Sequence, residues 1–285
     1  MNESGAWSED VKLVEDICCL SLVRRMSALM NRDDRFQQGD KLPRGWHVIM
    51  FNPPTLQSEL RHDGAASLGV EMPDLGLPKL MMGGRSVEYS GDIPIGGRVV
   101  RRSRLGPVSM KEGRFGAFAL LNVEHSLSVV DGPQNVVVET ISYIMRSEQV
   151  DVVDAEKVRA ATPDPRPEMD ALPDGVVQSF TPNETHLFRY SAITDNPHRI
   201  HYDFHYATRV EGYPSLVVNG TLPQMFLLEM FREYTGREPV HYEARNLSAL
   251  YCGAAVSLLL SPIGNRCVLM ARNEAGKVAI EAEAW

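Results

Sequence analysis

Between Tyr190 and Tyr234 the chain reads YSAITDNPHRIHYDFHYATRVEGYPSLVVNG and then TLPQMFLLEMFREY. His198, Arg199, His201, Tyr202, Asp203 and His205 crowd into eight residues just after the turn signal Asn196-Pro197, a density that a solvated surface does not explain. The second part is apolar along almost its whole length. Pro223 suits the first turn of a helix there, because its missing N–H would have no partner. Gly220, just ahead, lets a ligand come close to the backbone. A helix N-terminus carries unpaired N–H groups and partial positive charge, so it can hold a carbonyl oxygen as that oxygen gains negative charge. A histidine-bearing loop feeding such a helix points to acid–base chemistry on a carbonyl compound.

Something must wrap a helix this apolar. The strand signals that could do so come in two runs. In the first half, Asp10 to Met30 reads as a helix, with Val11, Val14, Ile17, Leu20 and Leu22 among its apolar positions. Trp46 to Phe51 reads as a short strand. Asn52 to Pro78 is rich in Pro and Gly, shows no period, and is long enough to suggest a segment that covers a site. Strands are expected at Arg85 to Ser90, Arg98 to Leu105, Phe115 to Val130 and Val136 to Arg146, with a hairpin turn at Asp131-Gly132. The charged, proline-bearing stretch from Ser147 to Gly175 reads as a linker. In the second half a strand near Val176 precedes the histidine stretch and its helix. Strands then close the chain at Tyr242 to Leu250, Ala254 to Leu260, Cys267 to Arg272 and Lys277 to Ala284. The expected fold class is α+β, in two domains, 1–146 and 176–285, joined by a linker at 147–175.

Composition narrows the function. At 285 residues and 44% hydrophobic content the chain can bury two ordinary cores. A net charge of -8 excludes a global basic field for nucleic acid, although Arg98, Arg101, Arg102 and Arg104 form a local basic cluster able to meet an anion. The four cysteines form no C-x-x-C pattern and no disulfide framework. With no membrane-length apolar run and an acidic N-terminus unlike a signal peptide, a cytoplasmic setting is expected.

The histidine stretch resembles the signature of the MaoC-like, hot-dog-fold enoyl-CoA hydratases, S-G-D-x-N-P-[IL]-H-x-D-x-x-x-A. Laid without a gap, Thr194 takes the first place, Asp195 the Gly and Asn196 the catalytic Asp. His198 takes the Asn, Arg199 the Pro and Ile200 the aliphatic residue. His201 falls on the catalytic His, and Asp203 and Ala207 also match. A gapped alignment would instead make Asp195 the partner carboxylate. Asn219-Gly220 stands where the family has HG before its central helix. The resemblance is closer to a long-chain branch that carries N-x-HRIHYD and then EGYP-x-LVV-x-G. That branch includes mesaconyl-C4-CoA hydratases, itaconyl-CoA hydratases and 3-hydroxyacyl-thioester dehydratases. It is also similar around GWHVIMF, MMGGRSVEYSGDIPIGGRV and KEGRFG. The resemblance implies a double hot dog, each half a helix wrapped by a curved antiparallel sheet, with only the second half keeping the catalytic motif.

Hydration of an enoyl thioester needs a base for water, a proton for the substrate carbon and a group to hold the enolate oxygen. His201 suits the proton transfers. Asn196 cannot act as a base, but its amide can orient the water. Gly220 N–H is the candidate oxyanion donor. Asp203 could fix the His201 tautomer, and His198 either takes part or braces the turn. For a substrate bearing a carboxylate, Arg199 is the first candidate to hold it and Arg85 the second; Tyr213 is a further candidate for substrate contact. The activity implied is a hydro-lyase on a C5 dicarboxylyl-CoA, either itaconyl-CoA or mesaconyl-C4-CoA, giving citramalyl-CoA. The runner-up is a dehydratase or hydratase of fatty acyl thioesters on CoA or acyl carrier protein. Two readings of other classes remain, a metal-dependent hydrolase using the His/Asp cluster and a thioester-binding module without catalysis. No metal and no separate cofactor are expected, CoA being part of the substrate, and a second copy of the chain is the expected partner in a homodimer.

Overall fold

The computed structural model describes residues 11–52, 55–113, 116–147 and 175–285. They form one antiparallel sheet of ten strands: β1 (Lys12–Ile17), β2 (Lys79–Tyr89), β3 (Arg98–Gly113), β4 (Gly116–Val129), β5 (Val137–Arg146), β6 (Val176–Phe180), β7 (His241–Asn246), β8 (Val256–Ile263), β9 (Arg266–Arg272) and β10 (Val278–Ala284). The order across the sheet is β1-β3-β4-β5-β2-β7-β10-β9-β8-β6. Read inward from either edge, each half runs first, third, fourth, fifth, second, so the two halves share one topology. They meet where β2 pairs with β7, from Gly84 opposite Arg245 to Glu88 opposite His241. Among the described residues three α-helices accompany the sheet: α1 (Leu20–Leu29), α2 (Glu184–Ile193) and α3 (Thr221–Thr235).

The apolar helix is α3. Leu222, Met225, Leu227, Leu228 and Phe231 are wholly buried on it, and it packs against β8, β9 and β10. Burying each such side chain stabilises the fold by roughly 1.5–3 kcal/mol. The first half has no helix of that length among its described residues. The chain makes a 3-10 turn there instead, Trp46–Ile49, led in by Gly45 at positive φ. The expected strand there is therefore a turn. Trp46 Nε1 donates to Glu229 Oε1 of α3 at 2.9 Å, which ties the halves together through a buried hydrogen bond.

Two further expectations change. Asp10 to Met30 is not one helix. Residues 12–17 pair with Ser103 back to Arg98 as an edge strand, and the helix begins at Leu20. The segment is too short for period alone to separate the two forms, and the exposed Leu13 and Ile17 show that its apolar residues do not share one buried face. α2 was not foreseen. Asn183 caps it, its Oδ1 accepting from His186 N–H while His186 Nδ1 accepts from Asn183 N–H. Most of the expected linker, 148–174, lies outside the described residues. No helix among the described residues is long and apolar enough to cross a membrane.

Candidate active site

The histidine stretch starts at the C-terminus of α2. Thr194 closes the helix, Asp195 takes the left-handed conformation at φ 44°, and Asn196 N–H returns to the Ser191 carbonyl. Asn196 Oδ1 then accepts from His198 N–H at 3.2 Å, an Asx turn that sets the direction of the following 3-10 turn, Arg199–His201. His201 emerges from that turn buried. Its Nδ1 donates to the Val217 carbonyl at 2.7 Å. That bond fixes the tautomer and leaves Nε2 as the basic nitrogen. Burial holds the imidazole at about 4, well below its ordinary value, against the pull of the Val217 carbonyl toward the charged form. At neutral pH His201 is an uncharged base.

The Val217 carbonyl belongs to a short extended segment that is itself pinned. Val217 N–H donates to the Ile200 carbonyl, Val218 N–H to the Leu250 carbonyl, and Cys252 N–H to the Leu216 carbonyl. Two residues later the chain enters α3 through Asn219 and Gly220. The base and the helix N-terminus are thus positioned by one piece of backbone. Asn219 is buried, and neither its Oδ1 nor its Nδ2 finds a partner among the described residues.

His201 and Gly220 both line a cavity of about 690 Å³ that crosses from the second half into the first. Asp195, Asn196, His198 and Tyr213 line it as well, so most of the expected constellation does come together. Two expectations fail. Asp203 does not hold His201, because its carboxylate accepts from Arg199 at 2.8 Å and from Tyr206 N–H at 2.9 Å. Arg199 does not line the cavity. It lies over the Tyr206 ring at 4.0 Å and is spent on Asp203, four residues on. A residue two places from the base in sequence points elsewhere because the 3-10 turn rotates successive side chains apart. The same dispersal breaks up the His/Asp cluster, and no group of three or more metal-ligating side chains gathers among the described residues.

The covering segment is in place. Arg199 N–H donates to the Asp63 carbonyl at 2.8 Å, and Asp63, itself buried, lines the cavity with its carboxylate 3.9 Å from His198 Nε2. Burial lowers the His198 imidazole although Asp63 favours its charge. Gly64, at φ +81°, packs so closely that a Cβ there would stand 2.4 Å from the Pro197 carbonyl.

The first half contributes a second, polar face, in which Arg85 is the residue expected from the sequence. Arg85 Nη2 meets Glu139 Oε1 at 2.7 Å and His47 Nε2 at 3.1 Å, and His47 Nε2 lies 3.3 Å from Glu139 Oε2. His125 Nδ1 is 2.8 Å from Ser103 Oγ. All of these except Ser103 line the cavity. Burial would raise the Glu139 carboxyl, but Arg85 and His47 outweigh it and hold it below the usual carboxylate range. Burial pushes His125 down to about 4. Period-two alternation puts Arg85, Ser103, His125 and Glu139 on the inward face of their strands, and His47 joins them from the 3-10 turn.

Residues 45–252 match the family described as hydroxyacyl-thioester dehydratase type 2. The chain belongs to that family. It is 32% identical over 279 residues, 97% of its length and 95% of the relative's, to the mesaconyl-C(4)-CoA hydratase of Chloroflexus aurantiacus. An 89-residue stretch is 37% identical to the mitochondrial hydroxyacyl-thioester dehydratase type 2 of Schizosaccharomyces pombe, covering 30% of each chain. In fold it resembles HtdX of Mycobacterium tuberculosis, with a TM-score of 0.66 at 16% identity over 96% of this chain and 99% of that one. It also resembles a second protein of that organism, described as a double hot dog, with a TM-score of 0.60 at 11% identity over 97% and 96% of the two chains. The family supplies hydratase or dehydratase chemistry, and the double hot dog matches the repeated strand order.

Proposed function

We propose that the protein is a hydro-lyase that adds water to a C5 dicarboxylyl-CoA, mesaconyl-C4-CoA or itaconyl-CoA, giving citramalyl-CoA. One observation carries the reading. The cavity runs from an uncharged, fixed histidine beside a helix N-terminus to a face of buried ionised groups in the other half. A cavity built to hold a plain hydrocarbon tail would end in apolar side chains, because an alkyl chain gives nothing back to a buried ion pair. The relative from Chloroflexus supports the same substrate class.

On mesaconyl-C4-CoA, whose double bond joins the α- and β-carbons, His201 Nε2 takes a proton from water as the water oxygen bonds to the β-carbon. The electron pair of the double bond moves toward the thioester, and the enolate oxygen rests at the N-terminus of α3, where Gly220 stands. The imidazolium then returns the proton to the α-carbon. Asn196, with its Oδ1 taken by the turn, has its amide nitrogen to orient the water. The dehydration of fatty 3-hydroxyacyl thioesters is the competing reading, favoured by the family description. A panel of mesaconyl-C4-CoA, itaconyl-CoA, crotonyl-CoA and long-chain enoyl thioesters on CoA and acyl carrier protein separates the two. Highest kcat/KM on a dicarboxylyl-CoA is expected, and highest kcat/KM on a long-chain thioester would reverse the assignment.

A further inference from the structure

Arg101 sits on β3, between Leu127 of β4 and Val14 of β1, and lines the first-half end of the cavity. Its guanidinium lies over the Phe51 ring at 5.2 Å. Its Nε and Nη2 are buried, and neither has a hydrogen-bond acceptor among the described residues. The two acids in its field are engaged by other donors. Glu139 is held by Arg85 and His47. Asp16 accepts from Ile17 N–H and Phe51 N–H, both at 2.7 Å. The covering segment passes close by with no side chain in the way. At Gly69, φ +75°, a Cβ would stand 2.9 Å from Arg101 Nη2.

A guanidinium with two buried N–H groups unpaired is costly to keep, and it is shaped to receive a carboxylate through two parallel hydrogen bonds. We propose that Arg101 is the anion subsite of the cavity and binds a carboxylate on the acyl chain of the thioester. Arg85, the second of the expected candidates, is instead neutralised by Glu139 and serves to hold the polar face together. The proposal rests on the thioester reading above and adds the residue that sets specificity within it. It also makes the first half the specificity half, while the second carries the base and the oxyanion site.

Binding tests this apart from turnover. Succinyl-CoA and glutaryl-CoA carry a terminal carboxylate at two chain lengths, butyryl-CoA carries none, and none of the three has a double bond to hydrate. Calorimetric titration of the full chain is expected to show one of the carboxylated thioesters binding roughly 10–100-fold tighter than butyryl-CoA, the range for hydrogen bonds to a charged group. Arg101→Met is expected to abolish that preference while leaving butyryl-CoA binding unchanged, and Arg101→Lys to keep part of it. If Arg101→Met does not fold, Arg101→Gln, which keeps a polar stem without charge, carries the test. A preference that survives loss of the Arg101 charge overturns the proposal, as does a wild-type protein that shows no preference. An Arg101-dependent preference in a protein that fails to hydrate mesaconyl-C4-CoA would sink the proposed function and leave the anion subsite standing.

Discussion

At the scale of single residues, the assignment depends on His201 being neutral. Its Nδ1 is committed to Val217, so only Nε2 can take a proton. His201→Ala is expected to cost on the order of 10²–10⁴-fold in kcat with the circular dichroism spectrum unchanged. The pH profile follows from the lowered value of about 4. The base is active when unprotonated, so kcat/KM should stay level as pH falls from 8 through the ordinary histidine range near 6.5 and drop only as the imidazole protonates near 4. A half-maximal point near 6.5 would mean that another group sets the rate. Asn196→Ala removes the acceptor that turns the loop toward His201 and should lower turnover, whereas Asn196→Asp keeps that acceptor and should retain most of it. Steady-state rates of the two variants decide between a role in the loop and a role for the amide alone.

At the scale of elements, the loop that carries His201 is braced by residues that do not line the cavity, Arg199, Asp203 and Gly64. The Arg199–Asp203 pair is partly exposed and worth at most about 1 kcal/mol. Arg199→Met should therefore reduce the activity on carboxylated and uncarboxylated thioesters by the same few-fold factor, and a selective loss on the carboxylated one would restore Arg199 to the binding site. Gly64 fixes the covering segment. Gly64→Ala meets both an unfavourable φ and the Pro197 carbonyl, so it should destabilise the docked segment by about 1 kcal/mol or more and raise KM with little effect on kcat. Steady-state kinetics together with protease sensitivity near residue 64 would read out that effect.

For the whole molecule, the continuous sheet makes the two halves interdependent. A fragment of residues 175–285 would carry His201 and α3, yet it would expose the β7 edge that β2 covers and lose the Trp46 hydrogen bond to Glu229. Such a bare edge pairs with other chains. The fragment is expected to be inactive and to aggregate in size-exclusion chromatography, and a monomeric active fragment would show that the first half is dispensable. Acid stability follows from the buried histidines. His201 and His125 stay neutral in the folded protein down to about 4, while in the unfolded chain they bind protons below about 6.5. The unfolded state thus holds more protons between those limits, so stability falls as pH drops from 6.5 toward 4. Thermal melts across that range should show a declining midpoint, and a flat or rising midpoint would contradict the burial of both rings.

The sequence by itself determined the strands of β3 to β5 and β8 to β10, because alternation and turn residues act locally. It also determined the histidine motif and the helix beginning near Pro223, since an apolar run behind Gly220 permits little else. It did not determine that β1 is a strand, because six residues of edge strand carry too weak a period. Nor could spacing decide which way Arg199 and Asp203 face, since a single 3-10 turn sends neighbours in sequence to different sides. The polar face of the cavity was least legible of all. Arg85, Arg101, His125 and Glu139 lie on four strands scattered over some fifty residues, and only pairing between β2, β3, β4 and β5 brings them to one surface. Cross-strand neighbours are set by register, which is a property of the whole sheet. The base could be found by reading along the chain, but the residues proposed to choose the substrate came together only when the sheet closed.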